Sequence, residues 1–68
     1  MNELIGLTAG KIWNYLNKNG VSNVVKMKIE LKINNIQLFL ALGWLLREDK
    51  IVITQEKNNM YVKLKEEK

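Results

Sequence analysis

Side chains that commonly perform acid–base or nucleophilic chemistry are scarce in this sequence. Its 68 residues include no histidine and no cysteine, and Asp49 is the single aspartate among scattered glutamates. General acid–base catalysis needs groups with tuned pKa values that converge on one substrate, and the spacing indicates no such pair. Thr8 and Ser22 have no visible base to activate their hydroxyls. We therefore predict that the protein is not an enzyme.

The dipeptide Gly10-Lys11 is a second candidate, because Gly-Lys occurs near the end of the phosphate-binding loop of many nucleotide-binding proteins. That loop also requires glycine at position 5 and serine or threonine at position 12, where this chain has Ile5 and Ile12. Without cysteine or histidine, disulfides and the usual zinc sites are excluded as well. We expect no cofactor, no metal and no small-molecule substrate.

Positive charge is the remaining feature with chemical consequences. The net charge is +4 and the isoelectric point is about 9.5, a range in which nucleic-acid binding is worth considering. Residues 1–33 carry +3, residues 34–49 carry −1 and residues 50–68 carry +2. The candidate contacts to DNA phosphates are Lys26, Lys28, Lys32, Lys57, Tyr61, Lys63 and Lys65. The alternative is a solvated surface, in which lysines on strand edges prevent aggregation.

Apolar periodicity predicts the elements that position these side chains. The predicted helices and strands span residues 3–19, 24–32, 35–48, 51–55 and 60–65. A short extra strand is predicted near residues 21–22, and Ser22 or Asn23 is expected to cap the second helix. Residues 66–68 are expected to be a frayed tail. Residues 1–68 are therefore predicted to form one domain of the α+β class, mainly α.

The third predicted helix contains the most apolar stretch of the chain, which has no charge before Arg47. At 100° per residue, one face carries Leu38, Ala41, Leu42, Leu45 and Leu46. The opposite face carries Ile36, Leu40, Gly43, Trp44 and Arg47. A helix that is apolar all round must be covered on both sides. What covers the second face therefore bears directly on function.

The small size of the chain limits how such a domain can be stabilised. A chain of this length buries only about 60% of its unfolded surface, and without disulfides or zinc the remaining support is oligomerisation.

The longest apolar run, Leu38 to Leu46, is far shorter than the roughly 20 residues of a membrane span. The N-terminus lacks the basic and long apolar regions of a signal peptide. We expect a cytoplasmic domain with no membrane contact.

The predicted order of elements resembles a winged helix-turn-helix domain, with three helices followed by a two-stranded β-hairpin wing. The spacing of Leu38, Leu42 and Leu45, followed by Ile51, is similar to that family's core register. Many members have glycine before the first wing strand, where this chain has Asp49. The Ala-Leu-Gly-Trp-Leu run at residues 41–45, with Gly-Lys-Ile-Trp at residues 10–13, resembles a small bacterial winged-helix family of unassigned function.

The resemblance implies which residues would face DNA. The groove-facing positions on the third helix would be Ile36, Gln37, Leu40, Gly43, Trp44 and Arg47. Base edges are read by Arg, Lys, Asn or Gln, so only Gln37 and Arg47 qualify, together with Asn34 and Asn35 at the helix start. The resemblance therefore implies a binding module associated with transcription, with weak and largely sequence-independent DNA contact.

The apolar face formed by Ile36, Leu40, Gly43 and Trp44 allows three interpretations. It is part of the core if the wing packs over it. It is a homodimer interface if Gly43 permits close approach and Trp44 is the anchor, since aromatic residues dominate interface energetics. It binds a different protein if neither holds. The second and third describe a protein-interaction module that does not bind DNA.

Overall fold

The computed structural model describes residues 2–65, which form three α-helices and a three-stranded sheet. The elements in chain order are α1 (Asn2–Asn19), β1 (Ser22–Asn23), α2 (Val24–Leu31), α3 (Asn35–Arg47), β2 (Ile51–Glu56) and β3 (Asn59–Leu64). The predicted winged-helix architecture is confirmed. The short extra strand is present one residue later than predicted. The frayed tail predicted at residues 66–68 lies outside the described residues.

The sheet has the order β1-β3-β2, and both strand pairs are antiparallel. β2 and β3 form the predicted hairpin, called the wing below. Its register runs from the pair Ile51–Leu64 at the base to the pair Glu56–Asn59 at the tip. β2 extends one residue further than predicted, to Glu56. β3 lies one residue earlier than predicted, at Asn59–Leu64.

β1 pairs with the other edge of β3 and so connects the helices to the wing. Asn23 lies opposite Tyr61, and Ser22 lies opposite Val62. Side chains alternate between the two faces of a strand, so Val62 is buried against the helices while Lys63 is exposed on the outer face. The first turn of α2 therefore follows directly after the residue that lies opposite Tyr61 on β3.

The core is built by all three helices and the sheet. Its buried apolar residues are Ala9, Ile12, Leu16, Val24, Met27, Ile33, Leu38, Ala41, Leu42, Leu45, Ile51 and Val62. The predicted buried face of the third helix is confirmed except at one position, because Leu46 is 46% exposed. Leu46 follows Leu45, and one residue rotates an α-helix by about 100°, which carries this side chain away from the core.

Asparagine side chains set the starts of α2 and α3. The Oδ1 atom of Asn23 accepts hydrogen bonds from the backbone N–H groups of Val25 and Lys26, at 2.8 and 3.2 Å. Asn34 and Gln37 form a reciprocal capping box, in which each side chain accepts a hydrogen bond from the other residue's backbone N–H. These bonds satisfy N–H groups that have no partner inside a helix.

A residue with left-handed backbone conformation follows each of the three helices. Gly20 has a φ of 74° at the end of α1, and Lys32 has a φ of 58° at the end of α2. Asp49 has a φ of 60° in the turn before β2, where many winged helices have glycine. Aspartate tolerates this conformation better than most residues. Its carboxylate also binds the Lys65 Nζ atom at 2.6 Å, which ties the turn to the end of β3.

α2 and α3 are joined by a short turn and bent by 115° relative to each other. This angle falls in the range of helix-turn-helix pairs. Within residues 2–65, no single helix is long and apolar enough to cross a membrane, and only the bent pair of α2 and α3 meets that criterion by length and composition.

Candidate binding surfaces

The outer face of α3 is the most apolar exposed surface of the domain. We define it by the residues that point away from the core, which are Ile36, Phe39, Leu40, Gly43, Trp44, Leu46 and Arg47. Its five large apolar side chains are between 42% and 69% exposed. The wing does not cover them within residues 2–65. The interpretation of this face as part of the core is therefore wrong.

The outer face of α3 continues onto the first helix. A groove of about 180 Å³ lies between the two helices and is lined on one side by Leu4 and Ile5 and on the other by Ile36 and Leu40. Leu4 is 43% exposed, and Leu7, one helical turn further along α1, is 67% exposed. The apolar surface therefore extends over two elements.

The polar residues predicted to read bases occupy the ends of this face. Gln37 is partly buried, and its side-chain oxygen accepts a hydrogen bond from the Asn34 N–H at 3.2 Å. Asn35 is exposed at the first turn of α3, and Arg47 is exposed at its last turn. Between them, an apolar surface occupies the middle of the helix. A face of this kind offers bases few of the hydrogen bonds by which they are distinguished.

Lysines are distributed over α2 and the wing, away from that face. Lys26, Lys32, Lys57 and Lys63 are exposed, and none of them forms an ion pair with a carboxylate in the part of the chain that the structure describes. Lys28 is partly buried. The candidates therefore differ in how readily they can contact a phosphate.

Lys65 differs from the other wing lysines because it is already paired. Its Nζ atom lies 2.6 and 2.7 Å from the two carboxylate oxygens of Asp49. A phosphate would have to compete with this carboxylate. Lys65 is therefore less available to a phosphate than Lys57 or Lys63, which form no ion pair within residues 2–65.

Two of the other predicted residues of the wing lie on β3, the strand that pairs with β1 just before α2. Tyr61 is paired with Asn23, the residue that caps α2, and Lys63 lies two residues further along β3 on the same face of the sheet. Lys26 lies in the first turn of α2. Tyr61 and Lys63 therefore share the outer face of the sheet, and Tyr61 lies opposite the residue that caps α2. Lys57 lies at the wing tip and Lys32 at the far end of α2.

A tyrosine–glutamate contact beside α2 was not anticipated from the sequence. The Tyr15 hydroxyl donates a hydrogen bond of 2.7 Å to the Glu30 carboxylate. This hydrogen bond, followed by burial and by the negative charge of Glu30, raises the pKa of Tyr15 above its usual value. The contact joins α1 to α2, and the 15-residue separation gives no local signal that would have revealed it.

Four apolar residues of the exposed surface were also missed, namely Leu4, Leu7, Phe39 and Leu46. Phe39 follows Ile36 by three residues, and Leu7 follows Leu4 by three, so both lie on exposed stripes with helical spacing. Helical periodicity alone could therefore have found Phe39 and Leu7. No group of three or more acidic side chains in residues 2–65 is placed to hold a metal ion.

Comparison with known proteins agrees with the architecture. The family model described as "Winged helix-turn-helix domain (DUF2582)" matches residues 1–64. An uncharacterized protein of Methanocaldococcus jannaschii, MJ1608, is 36% identical over 63 residues, which covers 90% of each chain. The predicted resemblance to a winged-helix family of unassigned function is thereby confirmed. Domains of this fold are typically non-enzymatic binding modules that often contact DNA. The chain belongs to the DUF2582 family of winged helix-turn-helix domains.

Proposed function

We propose that the domain is a non-enzymatic binding module that contacts the phosphate backbone of double-stranded DNA weakly through α2 and the wing. The observation that carries the proposal is the placement of four exposed lysines, Lys26, Lys32, Lys57 and Lys63, on these two elements. Lysines that neutralise phosphates release condensed counterions, which provides affinity for any sequence.

The proposal includes little sequence preference. Direct reading of bases requires side chains that form hydrogen bonds along the helix placed in the major groove. α3 has one cation, Arg47, and its amide residues are confined to the first turn. Contacts to phosphates position a protein on DNA but carry no sequence information.

The test is a titration of a labelled DNA duplex, followed by fluorescence anisotropy at several salt concentrations. Neutralisation of about four phosphates predicts a slope near −3.6 in a plot of log K against log salt concentration. Affinity should then fall roughly 150-fold between about 50 and 200 mM salt. Two duplexes of unrelated sequence should bind with similar affinity.

Matched lysine variants locate the contact. Lys26→Gln and Lys63→Gln should each reduce the magnitude of the slope by about 0.9, because each removes one released counterion. Lys11→Gln is the control, since Lys11 is exposed on α1 and lines a different groove with Tyr15 and Glu30. Absence of binding at low salt, or equal effects of all three variants, would overturn the proposal.

A further inference from the structure

We propose that two copies of this chain associate through the outer face of α3, extended by Leu4 and Leu7 of α1. The partner is a second copy of the same chain, and the interface is isologous, so both copies use the same surface. This inference does not rest on DNA binding, because Lys26 and Lys63 lie on α2 and the outer face of the sheet.

The exposed area fits a dimer. The seven large apolar side chains of α3 and α1, with the exposed fractions given above, leave roughly 700 Å² accessible, close to the about 800 Å² that each partner contributes to a standard interface. The largest apolar patch of a typical monomer is about 300–600 Å². The combined apolar area of these side chains is therefore at or above the upper end of that range.

The charge distribution favours a copy of the same chain. α3 has no ionisable side chain between Asn35 and Leu46, so two such faces can meet without placing like charges at the centre. The excess lysines lie on α2 and the wing. A partner of opposite charge would find only Arg47 on this face of α3. The face is therefore suited to an apolar and uncharged partner surface, which an identical copy supplies.

The helix geometry specifies the arrangement of the two copies. A two-fold axis that crosses α3 between Leu40 and Gly43 makes the two helices antiparallel, and Leu40 of one copy then faces Gly43 of the other. A Cβ atom at Gly43 would meet no atom within 4 Å in the single chain, so the backbone there is open to close approach.

The same arrangement separates the two arginines. Each Arg47 lies about four to seven residues from the axis, and at 1.5 Å per residue the two side chains are anchored roughly 16 Å apart along the helices. Each arginine comes beside the first turn of the other α3, where Asn34 and Asn35 are exposed. A parallel arrangement would instead bring the two arginines together, and we exclude it for that reason.

The first experiment uses the absence of cysteine from the chain. Gly43→Cys places a thiol within about two residues of the proposed axis, so the two copies of this thiol lie close enough for a disulfide to form. Val25→Cys is the control, because Val25 is 62% exposed on α2, outside the proposed interface. Under mild oxidation, Gly43→Cys should form disulfide-linked dimers at low protein concentration, and Val25→Cys should remain largely uncrosslinked. Equal crosslinking of both variants would overturn the proposal.

The second experiment measures oligomeric state by light scattering. Trp44→Glu should lower the association constant at least about tenfold, because a central aromatic residue is lost and a charge is buried. Val25→Glu should leave it unchanged. Ile36→Glu is the second interface variant, because its exposure of 69% allows the substitution without disturbing the core.

Circular dichroism on each variant establishes that the fold is retained. A wild-type chain that remains monomeric up to about 1 mM would overturn the proposal, since a stable interface of standard size binds more tightly than that. Dimers that persist in folded Ile36→Glu would also overturn it. DNA binding is measured separately, so failure of the dimer and failure of DNA contact can be distinguished.

Discussion

The two faces of α3 have similar apolar composition and opposite surroundings. Leu38, Leu42 and Leu45 are almost completely buried against α1 and the sheet, whereas Leu40 and Leu46 on the outer face remain more than 40% exposed. An apolar helix face therefore indicates the need for a partner but not the identity of that partner. In this domain the chain covers one face, and we propose that a second copy covers the other.

The outer face of α3 also differs from the surface formed by α2 and the wing. In a winged helix the third helix is the usual reader of bases, yet here it carries little charge, and the exposed lysines lie on the neighbouring elements. A shared fold does not determine which surface works, because function depends on the side chains presented. The apolar surface of the domain therefore lies on α3, and its positively charged surface lies on α2 and the wing.

The largest effect is expected from truncating the inner face. Leu42→Ala should lower the free energy of unfolding by about 2–5 kcal/mol, because it removes packing and leaves a cavity. Leu46→Ala, on the outer face, should change it by no more than about 0.5 kcal/mol at a protein concentration low enough to dissociate the proposed dimer. Urea denaturation followed by circular dichroism measures both. Equal losses for the two leucines would remove the distinction between the faces.

The capping box at the start of α3 should have the next largest effect. Asn34→Ala should lower the free energy of unfolding by about 1 kcal/mol, because the Gln37 N–H loses its acceptor. Asn35→Ala is the matched control and should have little effect, since Asn35 is exposed and its side chain makes no hydrogen bond within residues 2–65. Thermal unfolding of both variants provides the measurement. A larger loss for Asn35→Ala would show that the helix start is held differently.

Two lysines of α2 should respond to glycine in opposite directions. Lys32→Gly should raise the free energy of unfolding by about 0.5–1 kcal/mol, because glycine adopts the left-handed conformation at φ 58° without steric conflict. Lys26→Gly should lower it by up to about 1 kcal/mol, since Lys26 lies within the helix. Both substitutions should reduce the salt slope of DNA binding by about 0.9. Changes of the same sign in stability would contradict the backbone geometry.

The smallest effect concerns the contact between α1 and α2. The pKa of Tyr15 is raised by its hydrogen bond to Glu30, so the folded state binds this proton more tightly than the unfolded state. The resulting stability is fully present below the usual tyrosine pKa of about 10 and is lost as pH rises through the higher folded value. Tyr15→Phe should lack this component. Urea denaturation of both proteins from about pH 9 to 11 compares them, and parallel curves would argue against it.

Local signals in the sequence were sufficient to predict most of the fold. Asn23 and Gly20 mark helix ends by their capping chemistry, and apolar spacing identified the core residues of α3 except at Leu46. The Asn34–Gln37 capping box has a recognised spacing, so the role of Gln37 was also accessible from the sequence. The prediction that Gln37 reads bases did not consider that its side chain could cap α3 instead.

The candidate surfaces were less predictable for a physical reason. Whether the outer face of α3 is covered depends on where the wing packs, and that is set by contacts between β3 and β1 that are about 40 residues apart in the chain. The pairing of Lys65 with Asp49 likewise depends on the fold, since 16 residues separate them. Periodicity gives the direction of a side chain on its own element and not the presence of a neighbour.

Sedimentation equilibrium of the wild-type chain and Trp44→Glu over a series of concentrations determines whether the outer face of α3 mediates self-association. We expect the wild-type mass to rise with concentration from the 7.9 kDa of one chain to twice that value, and the same rise in Trp44→Glu to require at least about tenfold higher concentration. A wild-type protein that sediments as a single chain at every concentration would show that this face does not mediate self-association.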